Sequence, residues 1–313
     1  MAAFIVRRGI AGLLTLFVIA TLCFAVTRIA PGSPFSSERS LHPEIIKNFE
    51  AYYGLDKPVL VQYARTMGRY LKGDLGPSMF YRDFNCNDIV WPGLRKSIVL
   101  GTMAATLAFL LGLPLGIVAA ANQNRLPDHA AMSLSVLGIC IPNFLLGPIL
   151  VIVFALGLHW FPAARWPERW DTWSELSKLV LPTITLAMAH IAYISRLGRA
   201  GMLDVLNKDY IRTARAKGLP RNAVVLKHAL KNGITPVVSY AGPMIAVVIT
   251  GSIVVESVFA IPGLGQHFIK SAQNRDMNLI MACVLVYSTM VIALNLVVDL
   301  LYGVLDPRVR VDG

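Results

Sequence analysis

The chain has 313 residues, 55% of them hydrophobic and 15% charged, with a formal net charge of +11. Soluble domains are about one-quarter charged, so this deficit excludes an ordinary globular protein and points to the membrane. The positive balance fits the Lys/Arg bias of cytoplasmic loops before it suggests nucleic acid.

The N-terminus, MAAFIVRRGIAGLLTLFVIATLCFAVTRIAPGS, has a basic start and then a long apolar run from Gly9 to Val26. No A-x-A-like cleavage site follows it, so an uncleaved first membrane helix is expected rather than a signal peptide. Apolar runs of about 20 residues, the length that spans the hydrocarbon core as a helix, predict six spans. They fall at 9–29, 98–121, 133–158, 179–200, 236–259 and 279–304. The expected fold is an all-α polytopic membrane protein. It divides into a first span (1–29), a helical insertion (30–97) and a five-span core (98–313) carrying a polar loop at 201–235.

Basic residues orient the spans. With the N-terminus inside, the cytoplasmic set is Arg7, Arg8, Arg125, Arg308, Arg310 and the series from Arg196 to Lys231. The short outer loops hold only Arg165, Arg169, Lys178, Lys270 and Arg275. The insertion is long enough to translocate regardless of its own charge, so both termini are expected in the cytoplasm.

Within the insertion, HPEIIKNFEAYYG and LDKPVLVQYARTMGRYLKG each place Pro early and Gly late, as helices do. In the second, Val59, Leu60, Tyr63, Met67, Tyr70 and Leu71 form an apolar stripe suited to covering the membrane domain. In the spans, Gly112-x3-Gly116 predicts a close helix crossing. Pro114, Pro142, Pro148, Pro182 and Pro243 predict kinks or breaks.

Catalytic signatures are missing. There is no GxxxxGK[ST] phosphate loop, no HExxH and no GxSxG. Cys23, Cys86, Cys140 and Cys283 have neither CxxC nor Cys/His spacing, so no metal site or disulfide framework is expected. His190, Glu256 and Asp299 are ionisable residues inside spans, with Arg28 at a span end. Such residues are functional candidates by default, and structural hydrogen bonding is the competing reading. They do not form the chain of acids expected of an ion-coupled carrier, which stays as the alternative class.

The loop DYIRTARAKGLPRNAVVLKHALKNG carries Arg212, Arg215, Lys217, Arg221, Lys227 and Lys231. Helix-favouring residues lead to Gly218 as a C′ stop, and Pro220 opens a second helix that ends at Asn232-Gly233. Three readings follow: a basic loop facing anionic lipid, a helix-turn-helix for DNA, or a docking element for a cytoplasmic partner. In the third, Tyr210, Ile211, Ala214 and Leu219 would supply the buried contacts, and the small Ala214 and Ala216 would let the helix sit deep in a groove. Against DNA stands the lack of a third helix and a hydrophobic core.

RTARAKGLP followed by LKHAL resembles the cytoplasmic coupling segment of ABC importer permeases, within them the B-type subunits of oligopeptide permeases. The likeness runs along the chain through RIAPGSPF, YGLDKPVLVQY, GDLGPS, ANQN, GICIPNF, GSIVVESVFAIPGLGQ and DLLYGVLDPRVR. The general loop of that family begins Glu-Ala-Ala; here Arg212-Thr213-Ala214 stand in those places and Gly218 is kept.

The resemblance implies a type I importer permease of a bacterial inner membrane. It would be non-catalytic and would bind no cofactor itself. Its partners would be a second, homologous permease, two ATPase subunits that hold ATP and Mg, and an external peptide-binding protein. Oligopeptides are the implied substrate, with dipeptides, nickel or opine-like solutes as alternatives. The docking residues it implies are Asp209, Tyr210, Ile211, Arg212, Thr213, Ala214, Arg215, Ala216, Lys217, Gly218 and Leu219. Glu256, Pro262, Gly263 and Gly265, with the GSPF turn, are candidates for an outer gate, with turn-making as the simpler job for their Gly and Pro.

Overall fold

The computed structural model describes residues 2–29, 48, 51–81, 83–163 and 165–305. The expected helix at 42–54 falls largely outside these residues. The GSPF turn and the DPRVR tail fall wholly outside them. The helices are α1 (Ala2–Ile29), α2 (Val59–Leu71), α3 (Cys86–Ala121), α4 (Leu126–Cys140), α5 (Asn143–Leu150) and α6 (Val180–Leu206). They continue with α7 (Asp209–Ala216), α8 (Thr235–Ile249), α9 (Ile253–Val258), α10 (Leu264–Gln273) and α11 (Met277–Leu305). Apart from short helical turns, the other pairing among the described residues is one isolated bridge, Pro77 to Asn85.

Five stretches are long and apolar enough to cross a membrane: Val6–Ile29, Cys86–Ala121, Trp173–Leu206, Thr235–Val258 and Met277–Leu300. The pair Leu126–Cys140 and Asn143–Gly157, bent by 106°, makes six if it is one broken span. The all-α, multi-span expectation therefore holds, with corrected boundaries. The expected span at 133–158 starts earlier, at Leu126, and breaks at Ile141-Pro142, where a kink or interruption at Pro142 is expected. Pro142 offers no N–H and pushes the residue before it out of the helical region. Ile141 is accordingly extended, at φ −90° and ψ 112°. Pro114, Pro148 and Pro243 stay inside helices, and Pro182 lies in the first turn of α6.

The second span starts at Cys86 rather than 98 because its N-terminus is well capped. The Asn85 side chain accepts from the Asn87 N–H at 2.9 Å, and Asp88 reaches back to the Asn85 N–H at 3.3 Å. The fifth span is interrupted between α8 and α9, where Gly251 adopts φ +92°.

α3 and α6 form the most extensive helix pair. The Gly112-x3-Gly116 spacing allows it: a Cβ at Gly112 would lie 2.8 Å from the Ile191 carbonyl oxygen, and one at Gly116 would lie 2.5 Å from that of Ser195. Around this crossing Leu100, Ala104, Ala108, Leu181, Ile194, Met244, Val248 and Phe259 make the main core. Next to it, Arg199 clamps the start of α4 with a bidentate pair to Asp128, at 2.6 and 2.7 Å.

α1 lies at the periphery, with Ile10, Leu13, Leu14 and Phe17 exposed. It leans on α11, where Arg8 pairs with Asp299 at 2.6 Å. Asp299 is thus half of an ion pair.

The expected stripe on α2 is only partly used. Tyr63, Met67 and Tyr70 are half-buried, whereas Val59, Leu60 and Leu71 face outward. Tyr63 meets the outer end of α1, its hydroxyl 2.8 Å from that of Thr21 and its ring 5.3 Å from Phe24. A second cluster, with Leu75, Cys86, Val90, Leu264, Leu279 and Cys283, joins the insertion to the spans.

Candidate functional site

Two constructions stand at opposite ends of the bundle. The first is the 201–235 loop. α6 runs through to Leu206, α7 follows after a two-residue turn, and Gly218 closes α7 at φ +76°. The second half, Arg221 to Gly233, is helical throughout but widens to a π-turn at Val224–Ala229. The expected two-helix corner is present. Its two halves are pinned by an Asn232 amide donating to the Tyr210 hydroxyl at 3.1 Å.

One expectation is corrected. Ile211 is fully buried and Ala214 nearly so, but against Ala120, Met202, Val205, Val224, Val225 and Ala229 of the same chain. The i, i+3 spacing puts them on the inward face of α7. They hold the loop together and are not free for a partner. The outward rim consists of Asp209, Tyr210, Arg212, Thr213, Arg215, Ala216, Lys217, Gly218 and Leu219, all exposed. Asp209 in the first turn and Arg215 in the last complement the helix dipole.

The loop is built as a stiff joint between α6 and α8. A Cβ at Gly201 would meet the Pro236 ring at 3.0 Å and overlap the Gly233 carbonyl. The Arg221 guanidinium donates to the Ala121 carbonyl at the end of α3. Beside it a cleft of about 530 Å³ is lined by Asn122, Arg125, Arg215, Leu219 and Arg221.

The second construction is the hairpin of α9 and α10. Glu256 is fully buried. Its carboxylate accepts from the Ser97 hydroxyl at 2.7 Å, and from the N–H groups of Gly265 at 2.8 Å and Gln266 at 3.2 Å. The Ser97 oxygen in turn accepts from the Leu264 N–H at 2.9 Å. The first-turn donors of α10 are therefore capped by side chains from two other helices. At Gly263 the carboxylate occupies the space a side chain would need, with a Cβ 2.5 Å from its carbon, and at Gly265 a Cβ would lie 2.7 Å from the Ile253 backbone and 3.0 Å from a carboxylate oxygen. Three of the four proposed gate residues, Glu256, Gly263 and Gly265, thus form one network, and Pro262 sits in the turn they close.

Sequence reading did not single out Ser97, Asp128 or Asp276. Asp276 is fully buried and binds the Ser78 hydroxyl, along with the N–H groups of Met79 at 3.1 Å, Phe80 at 3.2 Å and Leu279 at 3.0 Å. It caps α11 and fastens the insertion to it. Asp276 stands between two predicted elements, where an acid reads as an ordinary loop residue.

No group of three or more His, Cys, Asp or Glu able to hold a metal occurs among the described residues. A multi-span helical bundle with a basic loop at one end and a closed hairpin at the other is the architecture of a polytopic membrane protein. Residues 112–311 match the family described as the binding-protein-dependent transport system inner membrane component, and residues 1–104 match the N-terminal membrane component of such systems. The chain belongs to this family of inner membrane components.

It is 42% identical to the oligopeptide transport system permease protein OppB of Escherichia coli (strain K12), over 99% of this chain and 100% of that one. It is 43% identical to the dipeptide transport system permease protein DppB of Bacillus subtilis (strain 168), over 99% and 98%. A solved structure described as inward facing conformations of the MetNI methionine ABC transporter matches with TM-score 0.50 and 16% identity, over 67% of this chain and 95% of that chain. That likeness bears on the fold, which is that of a type I ABC importer permease.

Proposed function

We propose that the chain is the permease subunit of an ATP-driven importer of peptides, with both termini and the 201–235 loop in the cytoplasm. It works beside a second, homologous permease, two ATPase subunits that bind ATP and Mg, and an external peptide-binding protein. Full-length similarity to both an oligopeptide and a dipeptide permease supports peptides as the substrate class, with oligopeptides as the narrower assignment. Nickel or opine-like solutes and an ion-coupled carrier are the alternatives.

The observation that carries the coupling role is the geometry of α7. It is fastened inward through Ile211 and Ala214, and it presents a continuous exposed rim from Asp209 to Leu219. A rim on a stiff joint between two spans converts movement of a docked subunit into tilt of α6 and α8. Coupling requires that the rim contact the ATPase differently in its open and closed states. The Glu256 hairpin serves as a rigid part of the outer gate. Purifying the chain from membranes and identifying what accompanies it tests the assembly. Peptide-stimulated ATP hydrolysis in vesicles tests the coupling. Uptake driven by a pH gradient without ATP would instead establish the carrier.

A further inference from the structure

Several ionisable side chains on the membrane helices are paired within the chain. Glu256 is enclosed by Ser97 and the α10 backbone, Asp128 by Arg199, and Asp299 by Arg8. His190 on α6 differs. It is only half-buried, and its Nδ1 lies 2.9 Å from the Tyr240 hydroxyl on α8. Tyr193, one turn along α6, is 43% exposed, and its ring centroid lies 5.8 Å from that of Tyr240. No hydrogen bond engages the second His190 nitrogen among the described residues.

This cluster sits deep. Gly112 packs against the carbonyl of Ile191, the neighbour of His190. His190 lies ten residues from the start of α6 and sixteen from its end, about 15 and 24 Å at roughly 1.5 Å per residue, well inside that span. Tyrosines that anchor a membrane protein sit at the interface, not at this depth. An open imidazole in lipid is costly, so such groups face a water-filled cavity or a bundle interior. The next residue on this face toward the basic loop is Arg196, also exposed.

We infer that His190, Tyr193 and Tyr240 form a contact surface for the main chain of the transported peptide. Imidazole and phenol groups both donate and accept hydrogen bonds, as peptide N–H and C=O groups require. The ring faces accept apolar side chains without selecting a particular one. The combination suits a solute whose backbone is constant and whose side chains vary. The surface lies on the two helices that the 201–235 loop joins, so movement of the loop carries the surface with it.

This inference rests on the peptide-import reading, and the test separates the two. The assembled transporter is reconstituted in vesicles and given an isotope-labelled pentapeptide and a benzophenone-bearing form of it. In the wild type, photolabelling is expected on α6 or α8. Tyr193→Ala and His190→Ala should each lower peptide uptake about tenfold with assembly intact, a loss equal to one well-made contact. Tyr193→Phe should retain part of the uptake. Tyr193 is exposed, so its truncation leaves no cavity in the core. Wild-type uptake with normal rates in both alanine variants and labelling elsewhere overturns the surface but leaves the peptide reading standing. Loss of the second permease from Tyr193→Ala preparations would make the cluster a subunit contact and also overturn it. Absence of peptide uptake in the wild type removes the peptide reading, and this surface with it.

Discussion

The Glu256 carboxylate and the Ser97 hydroxyl meet at 2.7 Å between α9 and the second span, with no solvent access to either. Together they receive the N–H groups of Leu264, Gly265 and Gln266. A helix N-terminus favours negative charge, so this is a favourable place to bury a carboxylate. The hairpin is thereby tied to α3 and moves with it.

Removing that carboxylate leaves several buried donors without acceptors. Glu256→Ala is expected to cost about 3 kcal/mol or more of stability, as for other broken buried charged networks. Glu256→Gln keeps the shape but turns an amide N–H₂ toward groups that themselves donate, at about 1–3 kcal/mol. Gly263→Ala should mimic the alanine variant by displacing the carboxylate. Thermal unfolding of the detergent-solubilised chain gives the ranking, and an unchanged midpoint for Glu256→Ala would contradict the network.

The same hairpin responds to acid. Burial, with Lys270 and Lys96 nearby, depresses the His267 pKa from 6.5 to about 4. The unfolded chain therefore binds the proton more readily than the folded one. The histidine's contribution to stability is complete above pH 6.5 and is lost progressively as the pH falls toward 4. His267→Gln should flatten the stability profile over that window and leave it unchanged near pH 8. Unfolding midpoints measured at intervals across this range provide the check.

What was legible in the sequence followed periodicity and turn chemistry. Apolar runs gave the spans, Gly112 and Gly116 gave the close crossing, and Gly218 with Pro220 gave the corner. The failures have physical causes. The start of α3 depends on a capping box, Asn85 to Asp88, that lies within a polar stretch and is invisible to a hydrophobicity window. The expectation for Ile211 and Ala214 treated a short amphipathic helix as having its apolar face free. The structure spends that face on the chain's own core. Ser97, Asp128 and Asp276 act through partners far away in the chain, and one sequence gives no signal for such pairing. The Glu256–Gly263–Gly265 network was half legible: a buried acid close to a Gly-rich turn marked the place but not the cap.

Asp276 carries the attachment of the insertion. It holds Ser78, Met79 and Phe80 on one side and the first turn of α11 on the other. Asp276→Ala should release the 77–81 segment and cost about 3 kcal/mol by leaving buried donors unpaired. Limited proteolysis at the outer face should then cut between Leu71 and Asn85 while the spans stay protected. Ser78→Ala removes one bond of the set and should give a milder effect, on the order of 1 kcal/mol.

The two alanines of α7 separate folding from docking. Ala214 is packed against Met202 and Val225, so Ala214→Trp overfills a closed core and should cost about 3 kcal/mol. It would disturb the loop whether or not anything binds there. Ala216 is exposed on the rim, so Ala216→Trp is expected to leave stability within about 0.5 kcal/mol of the wild type, as surface changes do. If the rim sits in an ATPase groove, the same indole obstructs it. Association with the ATPase should fall sharply while membrane insertion and thermal unfolding stay normal. Co-purification and unfolding, measured side by side on both variants, decide the matter. A well-folded Ala216→Trp chain that still recruits the ATPase and supports uptake would leave the rim without a docking role, and its positive charge would then serve mainly to hold the loop against anionic lipid.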